Sequence, residues 1–326
     1  MRISKLDFLL LALVAVWGIN YSLIKDAISG PAAPFTPFSF NAIRFAVAAA
    51  ILVAFIAWKR GEKVRTRRDL LAIFGLGLIG NALYQILFIT GMSGASSANS
   101  ALILASVPVM VALIGVLTRV ERLSVPAWMG IVLSFAGIAV VMLGNGWLAK
   151  ESGDITVPDR SPHAAGSGAF AVSPIVGDVL VLLSAMVWSI YTALAAPLLK
   201  RYSTTTVTAL SLTAGTVPLI VIALPDMSRL NWGAVPPATW AATLFSGAFA
   251  LALGYVVWNL GVKHLGGSRT AVYSNLTPLV AAGFAWLARG ETLTRFHLIG
   301  AATILAGINL TRLGRAAERV ELPAEE

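Results

Sequence analysis

Residues 101–137 read ALILASVPVMVALIGVLTRVERLSVPAWMGIVLSFAG, and residues 271–307 read AVYSNLTPLVAAGFAWLARGETLTRFHLIGAATILAG. Laid over each other at an offset of 170, they pair Ala101 with Ala271, Pro108 with Pro278 and Glu121 with Glu291, and further on Leu123 with Leu293, Gly130 with Gly300, Ala136 with Ala306 and Gly137 with Gly307, all without a gap. Chance similarity between apolar runs does not hold a proline, a glutamate and several glycines in one register, so the chain carries an internal repeat. The same offset pairs Gly91 with Gly261, and an offset of 171 pairs Asp7 with Asp178 and Trp17 with Trp188.

Outward from this pair, the chain divides into apolar runs long enough to cross a bilayer, about 20 residues each. Ten are expected, at residues 7–26, 36–57, 70–91, 97–117, 125–144, 178–199, 205–224, 238–261, 269–288 and 295–312. The implied domains are a first repeat at 1–144, a polar outer linker rich in Gly, Pro and Ser at 145–177, a second repeat at 178–315 and a cytoplasmic tail at 316–326. The first run, with Arg2 and Lys5 ahead of it, has the outline of a signal peptide. It continues through polar residues to Lys25, no small-residue cleavage site follows, and it has a counterpart in the second repeat, so it reads as a retained span.

The composition agrees with lipid as the solvent. Hydrophobic residues make up 57% and charged residues 12%, with a mean hydropathy of +0.81. A soluble domain carries about 25% charged residues. Absence of cysteine excludes a disulfide framework, a thiolate zinc site and a cysteine nucleophile. His163, His264 and His297 have no metal-ligand spacing, so no metal, cofactor or catalytic residue is expected. The net charge of +9 reads as a topology signal rather than a nucleic-acid footprint. Of 24 Lys and Arg residues, 17 fall in segments facing one side and 5 in segments facing the other, with Lys25 and Arg44 inside spans. The bias places both termini in the cytoplasm. Five spans per repeat, an odd number, then insert the second repeat upside down relative to the first, a construction used by secondary transporters with a midplane site between the halves.

At this point the residues resemble a known family. Trp17-Gly18-Ile19-Asn20-Tyr21 with Lys25, Arg44 in the second span, and the doubled patterns Pro108…Glu121-x-Leu123 and Pro278…Glu291-x-Leu293 resemble the EamA-type branch of the drug/metabolite transporter superfamily. The resemblance covers nearly the whole chain apart from the linker and the last dozen residues. It implies an all-α integral membrane protein with ten transmembrane helices in two inverted five-helix repeats forming a basket. It also implies export of amino acids or related metabolites across the inner membrane. The expected partners are a small-molecule substrate and the lipid bilayer, with no nucleic acid, and the chain is taken as a monomer. Two other readings stay open: a drug or nucleotide-derived solute exporter of the same fold, and a non-transport membrane scaffold.

Ionisable groups within a membrane are costly and ask for a function. Arg44 could pair with a substrate carboxylate or lock helices together through helix-end carbonyls, and it has no basic counterpart in the second repeat. Lys25 lies at the outer end of its span, where snorkelling competes with a gating role. Glu121 and Glu291 read as loop-ordering residues. Asp7 and Asp178 read as helix-opening charges. Pro108 and Pro278 are expected to kink the fourth span of each repeat, and the kink could hinge. Asn20, Tyr21, Arg44, Tyr84, Asn99, Trp188, Tyr191, Tyr255, Trp258 and Asn275 are the candidate substrate-binding residues. Asn81, Gln85, Asn259 and Tyr273 are further polar or aromatic candidates for the cavity lining. Interfacial belts and interhelical hydrogen bonds are the competing explanation for all of these. With no Asp or Glu deep in a span, the expected transport mode is uniport, exchange, or coupling through a less obvious group.

Overall fold

The computed structural model describes residues 4–29, 35–60, 62–117, 124–151, 172–290 and 294–321. Glu121, Leu123, Glu291, Leu293, most of the linker and the last five residues lie outside the described residues. Among the described residues the chain is helical, with no strand.

The helices are α1 (Lys5–Ser29), α2 (Pro37–Lys59), α3 (Arg67–Gly94), α4 (Ser97–Leu104), α5 (Val107–Leu117) and α6 (Val125–Glu151). They continue with α7 (Pro174–Arg201), α8 (Thr204–Arg229), α9 (Pro237–Leu265), α10 (Gly267–Tyr273), α11 (Thr277–Arg289) and α12 (Arg295–Glu321). Six of them, α1, α2, α3, α7, α8 and α9, are long and apolar enough to cross a membrane, and shorter apolar helices accompany them. Helix α6 runs on into the stretch read as linker, and α7 starts four residues before Asp178.

Local chemistry sets the ends. Ser4 and Asp7 cap α1 reciprocally: Asp7 N–H donates to Ser4 Oγ and Ser4 N–H to Asp7 Oδ2. Thr36 and Thr66 accept from the third residue on, ahead of α2 and α3, as do Ser173 and Ser203 ahead of α7 and α8. The outside of the bundle is apolar: Phe8, Trp58, Leu71, Leu117 and Leu287 are exposed, while Ser39, Asn41, Asn81, Ser189 and Asn259 are fully buried. That reversal of the soluble pattern fits a chain solvated by lipid.

Two expectations take a different shape here. Pro108 is the second residue of α5 and Pro278 the second residue of α11. Each fourth segment is therefore broken ahead of its proline, at Ala105–Ser106 in one half and by a 3₁₀ turn at Ser274–Leu276 in the other. Proline at a helix start lacks a hydrogen bond the position would not make anyway, so a new helix begins there instead of a continuous one bending. The third helix of each half is also irregular, with a π turn at Leu78–Leu83 in α3 and another at Ser246–Leu253 in α9.

Packing is reciprocal across the repeat. Gly77 lies against Ser211 O and Ala214, while Gly247 lies against Arg44 O and Val47. Gly91 meets Val181 and Gly261 meets Leu10. Gly137 packs on Ile304 and Gly300 O, and Gly307 on Ser134 and Gly130 O. Advancing along α6 thus means retreating along α12, so this pair runs antiparallel. The ends of corresponding helices also separate. Helix α1 finishes beside the C-terminal end of α3, where Lys25 Nζ donates to Met92 O, Ser93 O and Ala95 O at 3.1, 3.3 and 3.0 Å. Helix α7 finishes beside the N-terminal end of α3, where Arg201 Nη1 reaches Asp69 Oδ1 at 3.0 Å and Tyr202 Oη donates to Asp69 Oδ2 at 2.8 Å.

Candidate functional site

Helical spacing brings three residues of α1, Trp17, Asn20 and Tyr21, onto one face, and three of α3, Tyr84, Gln85 and Phe88, onto another. Both faces line a cavity with Arg44 of α2, Trp188 of α7 and Tyr255 and Trp258 of α9. The end of α4 and the break after it supply Ala101, Leu104 and Ala105, and the corresponding break before α11 with that helix's first residue supplies Ser274 and Thr277. The empty space inside, counting what opens at its mouth, is about 650 Å³.

Trp188 is the hub of the aromatic wall. Its ring centroid lies 5.0 Å from those of Tyr84, Tyr191 and Tyr255, 5.7 Å from Trp258 and 6.2 Å from Trp17. Trp17 and Trp188, repeat equivalents, thus meet edge to face across the centre. The Trp17 indole N–H donates to Ala250 O at 2.9 Å, a carbonyl inside the π turn of α9. A π turn disturbs the regular helical ladder, so it offers carbonyls to other donors.

Arg44 is 1% exposed. Its Nε donates to Asn41 Oδ1 at 2.8 Å, Nη1 to Ser246 Oγ at 3.1 Å and Nη2 to Gln85 Oε1 at 2.6 Å. Its guanidinium carbon lies 5.4 and 5.9 Å from the ring centroids of Phe40 and Phe45. Every one of these partners is neutral. Neither ion pair among the described residues involves Arg44. A guanidinium carries five N–H donors, and these bonds occupy three. Gln85 extends the chain, its Nε2 donating to Tyr255 Oη at 3.1 Å. Gln85 and Tyr255 are 170 residues apart, the same position of the two repeats meeting itself. Elsewhere in the wall, Asn20 Oδ1 and Thr277 Oγ1 are buried without a hydrogen-bond partner.

Of the residues singled out from sequence, Asn20, Tyr21, Arg44, Tyr84, Trp188, Tyr255 and Trp258 lie together on this wall. Tyr191 stands behind it, stacked on Trp188 with its hydroxyl accepting from Asn259 Nδ2 at 2.8 Å. Asn99 bonds Asp178 instead, through Nδ2 and Oδ2 at 2.9 Å. Asn275 lies between two lining residues, Ser274 and Thr277, without itself lining the cavity. Lys25 caps the end of α3, a place where a cation offsets the exposed carbonyls of a helix C-terminus. Gln85, one of the wider candidates for the lining, is on the wall, and Trp17 and Phe88 join it as residues the sequence did not single out for the cavity. Their signal was the spacing: each lies three or four places from a residue already chosen. Asp7, read as a helix-opening charge, also accepts from Tyr273 Oη and so ties α1 to α10.

Comparison with known proteins converges on transport. The model of the EamA-like transporter family matches residues 4–143 and 175–313, once per repeat. A Bacillus subtilis protein described as the uncharacterized transporter YyaM is 26% identical over 309 residues, 94% of this chain and 93% of that protein. A probable terminal-alkyne amino-acid exporter of Streptantibioticus cattleyicolor is 28% identical over 323 residues, 98% of each chain. A solved crystal structure matches with a TM-score of 0.64 at 19% identity, covering 96% of this chain and 99% of that one, which shows a shared fold.

Proposed function

Since the chain belongs to the EamA-like transporter family, a multi-span membrane family of the drug/metabolite transporter superfamily, we propose that it exports small carboxylated metabolites, amino acids or amino-acid-like compounds, across the plasma (inner) membrane. The observation that carries this reading is Arg44: a buried guanidinium on the cavity wall, held by neutral groups, with no carboxylate among its described partners. A cationic group in a low-dielectric site is costly without a counter-charge. A cargo carboxylate supplies one, in a planar geometry the guanidinium fits. Asn20 Oδ1 and Thr277 Oγ1 offer acceptors for an ammonium, and the faces of Trp17, Trp188 and Trp258 accept a cation and apolar surface together. The Streptantibioticus relative is named for an amino-acid cargo, which agrees.

The mode of transport we infer is alternating access between two inverted halves of five spans each, with the termini in the cytoplasm. Support comes from the opposite ends at which α1 and α7 finish along α3, from the antiparallel α6–α12 pair and from the basic-residue bias. The breaks ahead of Pro108 and Pro278 both border the cavity and are the natural hinges. In this reading the chain is a carrier and not an enzyme, and one copy holds a whole site. Lys25, bridging α1 to α3, serves as a closure at one end.

The test is a flux screen in proteoliposomes over amino acids, their decarboxylated amines and their amides. Saturable flux confined to carboxylated compounds supports the reading. Equal flux of the amines, or none of the acids, overturns it.

A further inference from the structure

We propose that Asp178 is a proton-binding site, and that closing the Lys25 end of the carrier takes up one proton there. The idea rests on the alternating-access reading for its meaning, while its geometry stands apart from the cargo cavity. Asp178 is 1% exposed, although it lies near the start of α7. Its Oδ2 accepts from Asn99 Nδ2 at 2.9 Å, and its Oδ1 is buried with no hydrogen-bond partner. Neither ion pair among the described residues includes it.

Among the described residues the charged groups around it are few. From α1, Lys25 acts on its charge, but the three N–H bonds of that ammonium point at Met92 O, Ser93 O and Ala95 O. The neighbouring Asp26 is exposed. The final part of α3, whose Gly91 and Gly94 pack on Gly177 and Val172, and the facing helix α4 carry no acid or base beyond Tyr84. An ionised carboxylate here would keep one bare oxygen in a dry place, beside a single ammonium whose own N–H bonds go to three carbonyls, at a cost the protonated acid escapes.

This group is also a closure. Lys25 is one helical turn, about 6 Å of rise, from Tyr21, and Asn99 is two residues from Ala101, both of them on the cavity wall. Asp178 is sealed only while α7, α4 and the ends of α1 and α3 are together. Separation admits water, and the acid then ionises. Closure forms an O–H bond on the carboxylate with a proton drawn from solution, and opening returns that proton; nothing is oxidised, reduced or otherwise transferred. Under the expected topology this end faces outward, so the step is the outer half of what a proton-driven exporter requires.

The absence of cysteine allows a direct test without cargo. Ser97 is fully buried at this closure, and Ser97→Cys is a near-isosteric single thiol. In nanodiscs, its rate of modification by a maleimide is measured from about pH 5.5 to about pH 8.5 and divided by the rate of the denatured protein at each pH, which removes the thiol's own ionisation. The corrected rate is expected to rise with pH by on the order of tenfold, the response of one group that is mostly protonated in the sealed state at the acid end of the range and ionised in the open state throughout it. With Asp178→Asn added, the rate stays low at every pH; Asp178→Ser is the second neutral variant should the amide fail to reconstitute. A corrected rate that is flat, that rises on acidification, or that titrates alike with and without the acid overturns the proposal. Failure of the carrier reading itself would show in the flux screen, not here.

Discussion

At the residue scale, Arg44 shows what a fork of donors does inside a membrane. Sequence marked it as an ionisable group without a counterpart in the other repeat, but not which of its two possible roles it takes. The structure gives it side-chain partners, Asn41, Gln85 and Ser246, in place of helix-end carbonyls. Those bonds aim the guanidinium and leave its charge unneutralised. Arg44→Ala is expected to lower the affinity for a carboxylated cargo roughly 10- to 100-fold, the loss of a hydrogen bond to a charged group. Arg44→Lys keeps the charge but not the fork and should restore only part of it. Saturation curves of flux read both, and an unchanged Km in the alanine variant would falsify the carboxylate role. Gln85→Leu removes the bond to Arg44 and the bond to Tyr255 together. Its Km is expected to rise by about tenfold as Arg44 loses its orientation, at unchanged protein yield; a normal Km would show that Asn41 and Ser246 suffice. Sequence marked Gln85 as a candidate for the cavity lining, but no periodicity reveals that it meets its own repeat equivalent.

At the scale of elements, the fourth and third segments of each half depart from simple helices in matching ways. A proline in an apolar run announces some interruption, but whether the helix bends or restarts depends on what takes up the freed backbone groups. Here Ala105 N–H still finds Ala101 O, and Val109 N–H takes Ser106 O, so the chain restarts cleanly. The π turns at Leu78–Leu83 and Ser246–Leu253 carry no sequence mark, since the residues there are ordinary helix and span residues. The glycines are better announced, being paired by the repeat, yet their purpose appears only in contact. A Cβ at Gly137 would strike Ile304, and one at Gly307 would strike Ser134. Gly137→Ala and Gly307→Ala are each expected to destabilise by about 1–3 kcal/mol, the cost of overpacking. Gly75→Ala, with open space around it, should instead gain about 1 kcal/mol from helix propensity. Thermal unfolding in detergent, followed by tryptophan fluorescence, separates the three, and equal melting temperatures would remove the reciprocal seam as a source of stability.

For the whole molecule, topology is the property most open to a decisive measurement. Lys63 and Ser228 are exposed, at the end of the bundle holding Asp69 and at the opposite end. In an otherwise cysteine-free chain, Ser228→Cys is expected to react with an impermeant thiol reagent in intact cells, and Lys63→Cys only after the membrane is permeabilised. The reverse pattern would turn the molecule over and place Asp178 at the cytoplasmic face. What the sequence determined by itself was what composition and periodicity carry: a lipid-solvated chain of apolar helices, duplicated at one offset, with its basic residues biased to one side. These are local or summed properties, so one dimension suffices for them. Only the tertiary structure decided which side chains share a space. It joined Arg44 to Gln85 and Ser246, moved Asn99 and Tyr191 off the cavity wall, and buried Asp178, because each of these depends on the rotation of one helix against another. The acidic residue that looked like a helix-opening charge is a sealed carboxyl group, and no pattern along the chain records that the ends of α1, α3 and α4 close over it.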